Sequence, residues 1–134
     1  MQRAEVSNAV DVYTALAGKG PEGGVRTLSV EFLVDTGAAM VCLPVTTIAQ
    51  LGLTVAGERD AITANGRVRR RVFSPVRLKL MDRETDQGVM ELPDDAPPLL
   101  GYLALEALDL CVNPQKQTVE GNPAHDGKLV LDLF

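Results

Sequence analysis

Between Val25 and Val34 the residues Arg26, Leu28, Val30, Phe32 and Val34 alternate with Val25, Thr27, Ser29, Glu31 and Leu33. A period of two with the bulky apolar groups in one register predicts a strand with one covered face. Met40–Pro44, Met-Val-Cys-Leu-Pro, is a second short apolar segment ended by proline. Val45–Leu53 changes to helical spacing, with Gly52 as its C-terminal stop. From Glu58 to Leu80 the residues are compatible with strand and are interrupted by Asn65-Gly66, a dipeptide suited to the positive φ angles of a tight hairpin turn.

The remaining pattern is more broken. Arg3–Leu16 alternates loosely and reads as one or two strands, followed by the Gly- and Pro-punctuated loop Ala17–Gly24. Met81–Gly88 reads as a polar turn, Val89–Leu92 as a strand, and Pro93–Pro98 as a rigid loop leading into Leu99-Leu100-Gly101. Tyr102–Leu110 suits a short helix, Cys111–Pro114 and Gln115–Glu120 two further strands, and Gly121–Gly127 a loop. Lys128–Phe134 is again strand-like. Many short strands, one or two short helices and no βαβ rhythm predict a mainly β fold. A length of 134 residues suits one domain, with residues 1–24 as N-terminal strand and loop and 120–134 as C-terminal tail.

Composition narrows the function. Hydrophobic residues at 46% and charged residues at 23% give a globular balance, and the scarcity of aromatics leaves the core to Val, Leu, Ile and Ala. A net charge of −5 opposes general attraction to nucleic acid or anionic membrane surfaces. No apolar run reaches the ~20 residues of a membrane span, and Met1–Gly24 lacks signal-peptide character, so a cytoplasmic location is expected. Cys42 and Cys111 have no metal-type spacing and read as two buried free thiols.

The feature needing explanation is Asp35. A carboxylate at the end of an apolar strand is costly to desolvate unless something pairs with it or uses it. Thr36 adds a hydroxyl, Gly37 permits a tight turn and close ligand approach, and Ala38 and Ala39 leave the neighbouring space open. An Asx-turn that caps its own loop is the simpler account of the same residues.

Taken in order, the apolar strand, Asp35-Thr36-Gly37-Ala38, the segment closing at Leu43-Pro44, the Asn65-Gly66 hairpin and Leu99-Leu100-Gly101 before a helix resemble the retropepsin-like aspartic proteases, in particular their small bacterial members. The resemblance runs from about Val25 to Val119. It implies a single-lobe closed β-barrel or sandwich, and peptide-bond hydrolysis by a homodimer, since one chain carries one Asp-Thr-Gly and the chemistry needs two carboxylates. It implies Asp35 as catalytic carboxylate, Thr36 as a brace to the partner's loop, and Gly37 as a carbonyl offered to substrate. Ala38, Ala39, Ala64, Asn65 and Gly66 would contact the polypeptide substrate, the last three on a flap, and Leu99, Leu100 and Gly101 would support the loop from behind. No metal or other cofactor is required.

Ala39 and Met40 stand where viral members usually carry an acidic residue, so the expected substrate clamp is less polar. Arg67, Arg69, Arg70 and Arg71 read as a solvated strand face or as a preference for acidic substrate residues near the flap. His125 reads as an exposed loop residue. Two other functions are compatible with parts of the pattern. One is a catalytically silent peptide-binding or regulatory dimer of the same fold. The other is an actin-like phosphate loop, for which the chain is too short and lacks a second loop.

Overall fold

The computed structural model describes residues 1–131. In chain order the elements are β1 (Gln2–Asn8), α1 (Ala9–Leu16), β2 (Thr27–Val34), β3 (Val41–Pro44), α2 (Val45–Leu51), β4 (Val55–Thr63), β5 (Gly66–Leu80), β6 (Arg83–Leu92), β7 (Leu99–Leu100), α3 (Tyr102–Ala107), β8 (Leu110–Asn113), β9 (Thr118–Gly121) and a short 3-10 helix (Pro123–His125). The mainly β expectation holds, with one more α-helix than foreseen. No helix among the described residues is long and apolar enough to cross a membrane.

Seven strands form one sheet in the order β1-β2-β7-β3-β6-β5-β4, and β1 pairs also with β5. That extra pairing, Glu5–Asn8 against Val76–Lys79, closes six strands into a ring and leaves β4 outside it. The length of β5 makes this possible. Its second half is shared between β1 and β6, while its first half runs on with β4 as a projecting hairpin. The ring strands bury Val6, Val30, Phe32, Leu43, Val76, Leu78, Val89 and Leu100, largely the alternating inward set expected of half-covered strands, in one cluster with Leu51 of α2 and Leu108 after α3. Truncating a side chain as enclosed as Phe32, which is 0% exposed, to alanine costs about 3–5 kcal/mol in such settings.

Where strands were expected through Leu16, the chain turns into α1 after Asn8. The Asn8 side chain accepts a hydrogen bond from the Asp11 backbone N–H at 3.1 Å, a standard N-cap that ends the strand. Its Nδ2 donates at 2.9 Å to the carbonyl of Leu51 and at 3.3 Å to that of Gly52, tying the start of α1 to the end of α2. Asp11 is buried and receives the Arg26 guanidinium at 2.8 and 2.9 Å, which fixes the loop before β2 and holds the Asp11 carboxyl below its ordinary range. Gly52 has φ of 66° and ends α2 as expected, and the Arg26 guanidinium fills the space a Cβ there would need. The open N-terminus of α2 takes its cap from elsewhere, since Asp94 accepts from the Thr46 N–H at 2.9 Å and from its hydroxyl at 2.7 Å.

Two turns are corrected. The segment expected as a polar turn, Met81–Gly88, is mostly β6. Only Met81 and Asp82 turn, both with positive φ (53° and 60°), and this two-residue geometry matches strand twist without a glycine. In the hairpin joining β4 and β5, Thr63 pairs with Gly66, so Ala64 and Asn65 are the central pair and Gly66 follows them with φ of 102°. A positive φ is required only of Gly66.

His125 is not the exposed loop residue expected. Asp109, itself 8% exposed, accepts from His125 Nδ1 (2.6 Å), Asn122 Nδ2 (3.1 Å) and the Val130 N–H (3.1 Å). These bonds, His125 first, hold the Asp109 carboxyl at about 2. The β8–β9 hairpin brings the tail back to Asp109, a return the local pattern does not reveal. Cys42 is buried as expected, whereas Cys111 is half-buried, and both thiols are free. Lys128–Leu131 are not in a strand, and the rest of the strand-like C-terminal segment, residues 132–134, lies outside the described residues.

Candidate active site

Asp35 is the first residue beyond β2, and the end of that strand is gripped on its far side. Leu33 and Val34 pair in parallel with Leu99 and Leu100 of β7, the Leu33 N–H donates to the Pro98 carbonyl at 2.8 Å, and the Asp35 N–H donates to the Leu100 carbonyl at 3.1 Å. The loop then folds on its own carboxylate. Asp35 Oδ1 accepts from the Gly37 N–H at 2.9 Å, and the Asp35 carbonyl accepts from the Ala38 N–H at 3.1 Å. This is the turn-capping arrangement that Asp35 permits on sequence grounds, and it leaves Oδ2 without a partner among the described residues.

Gly101 closes the loop from below. A Cβ on this residue would lie 2.5–2.7 Å from the carbonyl oxygens of Met40, Ala39 and Ala38, so only glycine lets α3 approach. Once there, the first turn of α3 supplies otherwise unpartnered donors: the Tyr102 N–H to Ala38 at 2.8 Å and the Leu103 N–H to Ala39 at 3.1 Å. Leu99 also pairs with Cys42 of β3, so the two apolar segments and the Leu-Leu-Gly element form one rigid floor.

Above this floor lies a cleft of about 980 Å³, roofed by the β4–β5 hairpin. It is lined by Asp35, Gly37, Ala38, Ala39, Ala64 and Leu99 among the residues singled out from sequence. Thr36, Asn65, Gly66, Leu100 and Gly101 do not line it. Thr36 is exposed beside it, Asn65 and Gly66 form the exposed hairpin tip, and Leu100 and Gly101 lie behind the loop. At the tip the Thr63 hydroxyl accepts from the Asn65 N–H at 3.2 Å and donates to the Gly66 carbonyl at 2.9 Å, a staple that sequence reading missed.

Met40, expected beside Ala39 at a less polar clamp, lines the cleft; missed were Cys42, Val72, Met90 and Leu103, which with it make much of the wall apolar, and Arg59. The alternation of β3, β5 and β6 was the available signal for most of them. Cys42 lies near enough to Asp35 to feel its charge; burial first and that charge second push its thiol up to about 11. The arginine run divides by strand alternation. Arg69 and Arg71 turn outward, to Glu58 and Asp60 and to Glu91 respectively, whereas Arg70 faces the cleft. Among the described residues no group of three His, Cys, Asp or Glu side chains converges as a metal site.

The family model described as "gag-polyprotein putative aspartyl protease" matches residues 22–107, which span β2 to α3 and hence both walls of the cleft. No curated protein matches the sequence. Among solved structures the chain is similar to the EIAV protease complexed with the inhibitor HBY-793, at 21% identity over 78% of this chain and 83% of that one, with a TM-score of 0.46. With more than half of its length matched, the chain belongs to the gag-polyprotein aspartyl protease family, and its closed, mainly β lobe is of the retropepsin-like kind.

Proposed function

We propose that the protein is an aspartic-type endopeptidase that works as a homodimer, the 134 residues forming one domain and Asp35 of each chain meeting across a two-fold axis. The observation that carries this reading is the placement of Asp35 at the floor of a roofed cleft, on a loop held by β7 and α3, in a chain of an aspartyl protease family. The chain holds one Asp-Thr-Gly, so a second copy supplies the second carboxylate.

Two carboxylates about 3 Å apart at an effective dielectric of about 20 repel by roughly 5 kcal/mol when both are ionised, so the pair keeps one proton. The ionised member takes a proton from a water held between them, and that water attacks the scissile carbonyl. The protonated member donates to the carbonyl oxygen as the carbon becomes tetrahedral. No covalent intermediate, metal or other cofactor takes part in this scheme.

The other assignments follow the same reading. Thr36, exposed and with no side-chain hydrogen bond among the described residues, bonds to the partner's loop. The Gly37 carbonyl receives the substrate backbone, with Ala38 and Ala39 beside it. The hairpin tip of Ala64, Asn65 and Gly66 closes over the peptide, while Leu99, Leu100 and Gly101 support the loop. Leu129, Val130 and Leu131 expose three apolar side chains in succession, which suits a tail that joins the partner.

The test is peptide hydrolysis by wild type and by Asp35→Asn, each sized by light scattering. A dimeric, inactive Asp35→Asn is expected, together with wild-type inhibition by a pepstatin-type transition-state mimic that is strongest at acidic pH. An Asp35→Asn protein that cleaves as fast as wild type sinks the assignment. A wild-type dimer that binds peptide but never cleaves it marks the silent alternative.

A further inference from the structure

The β4–β5 hairpin carries two sets of charge, and only one is neutralised. On its outer face Arg69 bonds Glu58 at 2.9 Å and Asp60 at 3.2 Å, and Arg71 bonds Glu91 at 2.7 Å. On its cleft face Arg59 and Arg70 stand directly opposite one another in the strand register. Neither makes a salt bridge or a side-chain hydrogen bond among the described residues. Like charges in such a cross-strand pair repel, with Cβ atoms about 5 Å apart. The hairpin thus presents two guanidinium groups to a cleft within a chain whose net charge is −5.

The acidic groups of the cleft form no bond with either: only Glu91 feels Arg70, by its charge alone and after its bonds to Arg71. Asp60 is held by Arg69 on the outer face, and Glu91 is held by both the Nε and the backbone N–H of Arg71. Asp35, on the floor, makes no salt bridge with either arginine among the described residues, and its recorded bond is to the Gly37 N–H. Water can satisfy Arg59 and Arg70 in the open cleft, and an incoming carboxylate can replace it, since two guanidinium forks on directly paired residues can share one carboxylate through charge-assisted bonds. Much of the remaining wall, with Met40, Val72, Met90 and Leu103, offers apolar contact to neighbouring side chains, beside the polar Thr63 and Gln87.

We propose that Arg59 and Arg70 form a subsite for an acidic side chain, Asp or Glu, of the polypeptide substrate. This deepens the peptidase reading and rests on it for the cleavage step. The arginines act on selection and not on the reacting bond.

The test digests a defined mixture of peptides at about pH 6, where side-chain carboxylates are ionised, and reads the cleavage sites by mass spectrometry. In parallel, Asp35→Asn is titrated by fluorescence anisotropy with labelled peptides that differ only by Glu or Gln at the enriched position, or at each position in turn if no peptide is cut. Wild type is expected to favour the acidic peptide on the order of fivefold, the size of one solvent-touching ion pair. The preference shrinks in high salt, is lost in the Arg59→Gln/Arg70→Gln double variant and is recovered by Arg59→Lys/Arg70→Lys. Cleavage without acidic enrichment, or enrichment that persists in the glutamine variant, overturns this subsite and leaves the peptidase reading standing. Arginine-dependent binding of the Glu peptide without any cleavage overturns the peptidase reading and leaves the subsite. Absence of both overturns both.

Discussion

The carbonyl oxygen of Ala39 lies 2.6 Å from the position a Cβ on Gly101 would take. Gly101 has φ of −85°, which any residue adopts, so the requirement for glycine here is one of space and not of backbone freedom. Gly101→Ala must push α3 away from the loop and stretch the Tyr102–Ala38 and Leu103–Ala39 hydrogen bonds. The expected cost is about 2–3 kcal/mol of stability, with peptidase activity falling more than tenfold because the Asp35 loop loses its seat. Urea denaturation and kcat/KM on one peptide check both; wild-type values for both would contradict the steric account.

Asn8 does two jobs with one amide. Its oxygen caps α1 and its nitrogen ties the last carbonyls of α2, all at a residue only 3% exposed. Asn8→Ala is expected to destabilise by about 2–3 kcal/mol, since it loses the cap and orphans buried acceptors. Asn8→Asp, which retains a capping oxygen but no donor, separates the two roles: it should recover about 1 kcal/mol or less. Chemical denaturation midpoints give the comparison.

Asp109 makes the tail sensitive to strong acid. Its folded value of about 2 lies below the ordinary 3.8, so the unfolded chain binds the proton more readily between those values. The stability Asp109 contributes is therefore fully present above about pH 4 and is lost as pH falls toward 2. Asp11, Asp86 and Glu91, each lowered first by an arginine bond, act in the same direction. Asp109→Asn should flatten the acid limb of a Tm-against-pH curve measured by calorimetry. An unchanged limb would remove Asp109 from the account.

The two thiols should differ in reactivity. Cys42 is 7% exposed with its thiol at about 11, so at neutral pH almost none is thiolate, while Cys111 is half-buried. A maleimide reagent at neutral pH is expected to label Cys111 in the folded protein and Cys42 only after unfolding. Peptide mapping of the labelled protein distinguishes the order.

Much of this arrangement was legible in the sequence, because its chief signals are local. Alternation marked β2, Gly52 marked the end of α2, and the apolar pair before Gly101 marked the element that returns to Asp35. What escaped reading depended on partners distant in sequence or on register. The loose alternation of Arg3–Leu16 suggested strand throughout, although Asn8 with Asp11 three residues later is a recognisable helix start. The Asn65-Gly66 dipeptide located the hairpin, but as its central pair it would set Arg59 against Val72. The observed turn, centred on Ala64 and Asn65, sets Arg59 against Arg70. Register, fixed by the turn, decides which side chains meet, and composition is silent about it. His125 and Asp109 meet only because a distant hairpin folds back.

The grip of Pro98–Leu103 on the Asp35 loop also sets an order of events. Ribosomes deliver the chain from its N-terminus, so the strand bearing Asp35 emerges long before the residues whose carbonyls and N–H groups frame it. A nascent chain that stops short of Pro98 carries the aspartate without its frame. The cleft therefore gains its floor late in synthesis, and a truncated product would lack it whatever the state of the rest of the barrel.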